Sequence, residues 1–290
     1  MISEEVLRAR LFLMHATEPP APAIHDFVAV HGPVDTVERI RHGTVPHAVR
    51  AEITWPDVTI DAALRALDSG VARLLTPEDD QWPQGILASG SGIASPLALW
   101  VRGTASLTEL VNLAVAITGS RAASPYGTQV ARDFSYDLAV AGVTVVTGGG
   151  LGVDDAAAQA ALIPAKGRVV IAQPCGIDQP YPHQQTELFN TVVDHGGLVI
   201  SEYPAGARPS RSRFPARARL LAMLSSATVI VEAGRRSGAL AVAHAAGRLG
   251  RRVYAVPGSI YSATSAGTNE LLHSGIARTA TSAEHLFQAR

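Results

Sequence analysis

Five segments of the sequence combine residue types that can hold a phosphate or a nucleobase, and each comes soon after an apolar run. Gly119-Ser120-Arg121 leads into Ser124-Pro125, a side-chain N-cap with proline at the first helical position. A glycine turn and free backbone N–H groups at a helix start make an anion site, and the Arg121 guanidinium adds a two-point fork. The plainer alternative is a tight turn beside a solvated arginine. Thr147 to Asp154 reads TGGGLGVD, in which Gly148, Gly149, Gly150 and Gly152 let a backbone come close to a phosphate. Val153 breaks the G-x-G-x-x-G spacing and no Gly-Lys-Ser/Thr follows, so the loop is neither a dinucleotide fingerprint nor a Walker A loop. Arg208 to Arg219 carries Arg208, Arg211, Arg213, Arg217 and Arg219 with no acid between them and Phe214 in their midst. Arginines meet phosphates, and an exposed aromatic ring offers a face to an unpaired base; the alternative is a solvated loop with Phe214 tucked into the core. Ser237-Gly238, preceded by Arg235 and Arg236, and Pro257-Gly258, followed by Gly267-Thr268-Asn269, add N–H donors and small residues.

Groups suited to catalysis are sparse. The ten histidines form no H-E-x-x-H pattern, and no G-x-S-x-G elbow is present. Asp154 and Asp155 open a helix, where carboxylates suit the dipole. Glu202 and Glu232 end strands, where capping and ion pairing outweigh a role as base. Cys175 has no evident activating partner and reads as a packed thiol. As the single cysteine it excludes a disulfide framework and a cysteine-based metal site. No cofactor and no metal are expected.

The elements that must position these segments follow from apolar periodicity. Residues 3–15, 22–31 and 34–42 read as short helices separated by Pro19, Pro20, Pro22, Gly32 and Pro33, a small helical module. Pro46 to Pro56 reads as a loose connection, and 58–69 as a further helix. Continuous apolar runs then alternate with helix-length segments. Strands are predicted at 71–75, 97–101, 113–118, 143–147, 168–172, 197–201, 227–232 and 252–256. Helices are predicted at 125–141, 154–163, 183–195, 215–225, 237–249 and 268–274. Strands without polar alternation are buried on both faces, so the pattern predicts a doubly wound, mostly parallel Rossmann-like α/β sheet. The expected division is a helical module over 1–56 and an extended Rossmann-like domain over 57–290. Ligands of such sheets sit beyond the carboxyl ends of the strands, where all five segments fall.

With 290 residues, 47% hydrophobic and 17% charged, the chain is not a mainly disordered one. No uncharged apolar run of about 18 residues is present, so no spanning helix is expected. The start MISEEVLRAR has no apolar signal region, which makes the cytoplasm the expected compartment. The net charge of −1 argues against a polycationic binder but leaves a local basic patch open. Lys166 is the only lysine, so the basic charge is almost all arginine. That suits phosphate, and it is also what a GC-rich genome produces.

Taken in order, GSR at 119–121, the glycine loop ending in GVD, Gly176 to Leu188 (GIDQPYPHQQTEL), Ile200-Ser201-Glu202 and Phe214-Pro215-x-Arg217-x-Arg219 resemble the DNA-processing protein A (DprA/Smf) family. So do Val231-Glu232-Ala233 with Ser237-Gly238, Ala255 to Gly258, and Gly267 to Asn269. Upstream, Gly70-Val71, Trp82-Pro83 and Leu99 to Gly103 fit as well. The resemblance implies a SAM-like helical module before the Rossmann domain and single-stranded DNA as the ligand. It also implies dimerisation, loading of a RecA-type recombinase during transformation, and no enzymatic activity. The apolar stretch Ala280 to Phe287 is expected as a helix that packs against a second copy or covers an edge of its own sheet. Many members add a C-terminal winged helix, which is not expected in a chain stopping at Arg290.

The residues implied for nucleic-acid binding are Gly119, Ser120, Arg121, Gly148, Gly149, Gly150, Arg211, Phe214, Arg217, Arg219, Ser237, Gly238 and Asn269. The sequence departs from the family pattern at Leu151, where arginine is usual, and at Ala158, where histidine is. Ala218 interrupts Arg-Asn-Arg, Gln185 follows Tyr-Pro where asparagine is frequent, and Val242 replaces a threonine. Two other readings stay open. One is a module that binds a nucleotide or other phosphorylated ligand. The other is a lysine-decarboxylase-like phosphoribohydrolase, disfavoured because 237–243 carries no carboxylate on its turn.

Overall fold

The computed structural model of the chain describes residues 2–87 and 92–286. The chain opens with four helices, α1 (Glu4–Ala16), α2 (Pro22–Arg41), α3 (His47–Glu52) and α4 (Asp61–Asp68). The Ser3 hydroxyl accepts the Val6 N–H, and Glu4 and Glu5 lie in the first turn of α1, where the helix dipole favours them. The two helices expected at 22–31 and 34–42 are one helix kinked at Gly32, whose φ of 77° is open to glycine at little cost. The stretch expected as a loose connection holds α3. Ala21 provides no side-chain cap for α2, and the Glu52 carboxylate does so from α3, accepting the amides of Ala23 and Ile24 at 3.0 and 2.9 Å.

The remaining elements are β1 (Arg73–Leu75), β2 (Leu99–Arg102), α5 (Leu107–Asn112), β3 (Ala114–Thr118), α6 (Pro125–Val140) and β4 (Thr144–Thr147). They continue with α7 (Val153–Ala161), β5 (Val169–Ala172), α8 (Thr186–Asp194), β6 (Leu198–Ser201), α9 (Arg213–Met223) and β7 (Ala227–Ile230). The chain finishes with α10 (Ala239–Arg248), β8 (Arg252–Ala255), α11 (Ala266–His273) and β9 (Arg278–Thr279). The sheet runs β1-β2-β6-β5-β4-β3-β7-β8-β9. All neighbours from β6 to β9 are parallel, and β2 is antiparallel to both β1 and β6. The expectation of a doubly wound, mostly parallel sheet holds.

Strand alternation divides the apolar residues between two faces. Val115, Ile117, Val145 and Ile171 join Leu11, Leu13 and Ile24 of the helical module and Phe134, Ala157 and Phe189 of α6 to α8. Ala116, Val146, Val170 and Ile200 pack with Leu220 and Leu221 of α9 and Val242 and Ala246 of α10. Two ion pairs tie the module to the sheet or to α9, and a third joins α9 to the end of β6. Arg10 meets Glu78 and donates to the Leu97 carbonyl, Arg213 meets Glu18 at 2.6 Å, and Arg219 meets Glu202 beneath the module.

Chain order places the sheet's switch point between β3 and β7. From β3 the chain winds through β4 and β5 to β6, whereas β7, β8 and β9 wind the other way. The carboxyl ends of β3 to β8 therefore share one rim. The stretch after Ala280 packs on its own chain. Residues Ala283–Leu286 form a short 3-10 turn with Ala283 and Leu286 buried in the chain's own core, and Phe287 lies outside the described residues. No described helix is long and apolar enough to cross a membrane.

Candidate nucleic-acid interface

The loops after β3 and β4 are packed back to back. The Val153 amide donates to the Ser120 carbonyl at 3.1 Å, and a Cβ on Gly152 would overlap the Ser120 and Arg121 carbonyls. Gly119 is fixed in the same way, since a Cβ there would press on Val153 and the Glu232 carbonyl. This packing leaves Arg121 projecting from the rim, with its guanidinium carbon 4.8 Å from the Phe214 ring centroid and 6.0 Å from that of Tyr181. Tyr181 and Phe214 meet edge to face, with centroids 5.6 Å apart. Both rings are half-buried and so keep open surface. Beside them lies a cavity of about 550 Å³ lined by Arg121, Leu151, Tyr181, His183, Gln184 and Pro209. A cation over two aromatic rings at the mouth of an open cavity is suited to an unpaired base and its phosphate.

Three loops hold this arrangement. Phe214 lies in the first turn of α9, which Arg213 anchors through Glu18 and the Arg208 carbonyl. Tyr181 ends the loop after β5. That loop is clipped to the loop after β6, where the Gly206 amide donates to Asp178 at 2.8 Å. Arg211 is exposed on the same loop as Arg208, beside α9. Tyr181 is the residue that motif reading missed. A lone aromatic between two prolines has no periodicity, and its only signal was membership of the GIDQPYPHQQTEL stretch.

Several residues expected at the interface have internal duties instead. Arg219 is a correction. Its guanidinium is buried and bonds Glu202 through two hydrogen bonds of 2.5 Å, with a third to the Ala94 carbonyl at 3.2 Å. Burial pulls its pKa down, and the charge and hydrogen bonds of Glu202 more than restore it, leaving it above the ordinary arginine value. Arg217 is turned inward as well. Its Nη1 donates to the Gly148 and Ala172 carbonyls, at 2.8 and 3.2 Å, and its buried Nε has no partner. Burial lowers its pKa against the opposing pull of Asp154. Asn269 uses both ends of its amide on the Gly258 backbone.

The glycine run is likewise explained from within. A Cβ on Gly148 would overlap the Arg217 guanidinium, and one on Gly149, at φ 65°, would strike Phe189. The Gly150 amide donates to Asp154 at 3.1 Å, and the other oxygen of Asp154 accepts from Thr118 at 2.7 Å. Gly148 and Gly149 are buried, and Leu151, 42% exposed, is the most open residue of the run.

The α6 N-terminus, expected as an anion site, is occupied by Glu232. Its carboxylate accepts the Ser124 amide at 2.9 Å and the Ser124 and Thr264 hydroxyls at 2.6 and 3.0 Å. Gly127 has no side chain because that carboxylate fills the space. Glu232 thus caps a helix and Glu202 pairs with Arg219, the roles their strand-end positions favoured. The Cys175 thiol donates to the Gln179 carbonyl, and burial pushes its pKa up to about 12, so the thiolate is absent near neutrality. Ser237 and Gly238 stand apart from the aromatic pair, beyond β7, next to the exposed Arg235 and Arg236.

Comparison with known proteins follows the same regions. A family model described as DNA recombination-mediator protein A matches residues 73–290. The chain is 42% identical over 279 residues to a DprA-named protein of Mycobacterium tuberculosis, covering 92% of this chain and 71% of that one. The X-ray structure of DNA processing protein A from Streptococcus pneumoniae superposes with a TM-score of 0.79 at 25% identity, over 100% of this chain and 99% of the other. The Helicobacter pylori DNA processing protein A, whose structure was described for its single-stranded DNA binding mode, gives a TM-score of 0.62 at 30% identity. That match covers 74% of this chain and 94% of the other.

Proposed function

The chain belongs to the DNA recombination-mediator protein A family, and from that premise we propose that it binds single-stranded DNA on the rim of its sheet. Bases stack on Tyr181 and Phe214, and phosphates are met by Arg121 and Arg211. The observation that carries this reading is the Arg121–Phe214–Tyr181 cluster beside an open cavity. A paired base cannot present its face to such a cluster, so single strands should bind more tightly than blunt duplex. Competition of a labelled oligonucleotide with unlabelled single strand and duplex tests this, and equal affinities would overturn it.

The phosphorylated-ligand reading is the weaker one. Glu232 holds a negative charge where a phosphate would approach α6, and the glycine loop's inner space is filled by Arg217 and Phe189. The role proposed is binding without catalysis. Rim carboxylates Asp154, Glu202 and Glu232 are each committed to a hydrogen bond or ion pair, and Cys175 is held as a thiol.

The same proposal includes delivery of the strand to a RecA-type recombinase and action as a homodimer, both by analogy with the family. It also keeps the division into a helical module over 1–56 and a Rossmann-like domain over 57–290. In this view the module steadies α9 through Glu18 and Arg213.

Leu151 offers a test by gain. It borders the cavity beside Arg121 and Tyr181 where the family pattern carries arginine. Leu151→Arg adds a cation to the strand's path, so affinity should rise and the log–log salt dependence should steepen by about 0.7. A salt titration of binding measures both, and an unchanged slope would place the backbone elsewhere.

A further inference from the structure

The rim carries a second aromatic and cationic group on the far side of the switch point. Ile260 and Tyr261, at the tip of the loop after β8, are 84% and 93% exposed. Arg235 and Arg236, in the loop after β7, are exposed, and neither meets a carboxylate among the described residues. The two loops are braced at their base. Thr264 donates to Glu232 at 3.0 Å, and the Gly267 amide donates to the Ala233 carbonyl at 2.6 Å. Side chains this exposed contribute no packing to the fold, and cations without nearby acids select an anionic partner. A protein-binding face would be a broad apolar patch, whereas here Ile260 and Tyr261 are flanked by Ser259 and Ser262, and the neighbouring loop carries two arginines.

The path between the two groups is short. Strands lie about 4.8 Å apart, so the loop after β8 is two strand positions, roughly 10 Å, from the loop that carries Arg121. Tyr126 lies between them, half exposed, its hydroxyl donating to the Pro257 carbonyl at 3.0 Å. We propose that Tyr261, with Arg235 and Arg236, forms a second stacking and phosphate contact for the same DNA strand after it crosses the switch point. This rests on the reading that the strand is held at Arg121, Tyr181 and Phe214.

The test compares oligo-dT of about 4 and about 16 nucleotides, bounding the usual single-strand site sizes. Tyr261→Ala should bind the short oligonucleotide as the unmodified chain does and the long one about five-fold or more weakly. Arg235→Ala combined with Arg236→Ala should weaken only the long one, flattening its salt dependence by about 0.7 for each arginine. Thermal melting of both variants should match the unmodified chain, because these side chains pack against little. Unchanged binding of the long oligonucleotide by Tyr261→Ala, with Phe214→Ala weakened at both lengths, overturns the second contact and leaves the first standing. Equal weakening of Tyr261→Ala at both lengths also overturns it, by making Tyr261 part of the first contact. An unmodified chain that binds neither length overturns both readings.

Discussion

Arg219→Ala should destabilise the fold by about 3–5 kcal/mol, the cost of leaving one partner of a buried ion pair uncompensated. Arg219 is 6% exposed and Glu202 only 3%. The pair is bidentate, and the guanidinium also holds the Ala94 and Ala216 carbonyls. Alanine strands the Glu202 carboxylate in the core and leaves two carbonyls without their donor. Chemical denaturation should show a much lower midpoint with little change in slope. Arg219→Met combined with Glu202→Leu should lose less than either single truncation, because no lone charge stays buried. In the folded fraction of Arg219→Ala, the salt slope of DNA binding should match that of the unmodified chain. A variant as stable as the original, or one with a flattened salt slope, would put Arg219 back among the phosphate contacts.

The second large effect is expected at the aromatic pair. Phe214→Ala and Tyr181→Ala should each cost about 1–3 kcal/mol of single-strand affinity by loss of a stacking face, with the salt slope nearly unchanged. Arg121→Ala should instead flatten the slope by about 0.7. Because the two rings touch edge to face and Arg121 lies over both, the single effects should not add. A double-mutant cycle measures that coupling, and melting curves recorded alongside separate lost packing from lost binding. Full affinity retained in both variants would move the strand off this part of the rim.

Strands β1 to β8 were legible because they are mainly apolar runs, which burial on both faces favours, whereas β9 is the exposed pair Arg278–Thr279 and gives no such signal. The helix α3 was not legible either, since Pro46 and Pro56 bracket it and its six residues are too few for a period to emerge. The five arginines of the Arg208–Arg219 segment were indistinguishable by composition. What separates them is depth. Arg219 lies beside Ala218, Leu220 and Leu221 in the buried run of α9, and its partner Glu202 ends a strand 17 residues earlier. Arg211 precedes the helix and stays in water. The glycine run was correctly placed at a strand's carboxyl end, but its composition reflects Arg217 and Phe189 pressing from below. A sequence shows that a side chain must be absent and does not show what occupies the space. Tyr181 lacked any neighbour in sequence to pair with, because its partners come from the loop after β3 and the first turn of α9.

Glu232 fills the crevice in which doubly wound proteins commonly seat a mononucleotide, so the chain keeps that architecture while its own carboxylate serves as a permanent tenant. On the reading proposed above, its occupancy in a cell follows how much unpaired strand is exposed and is indifferent to energy charge or redox state. On that reading, a fold that elsewhere seats mononucleotides responds here to a polymer.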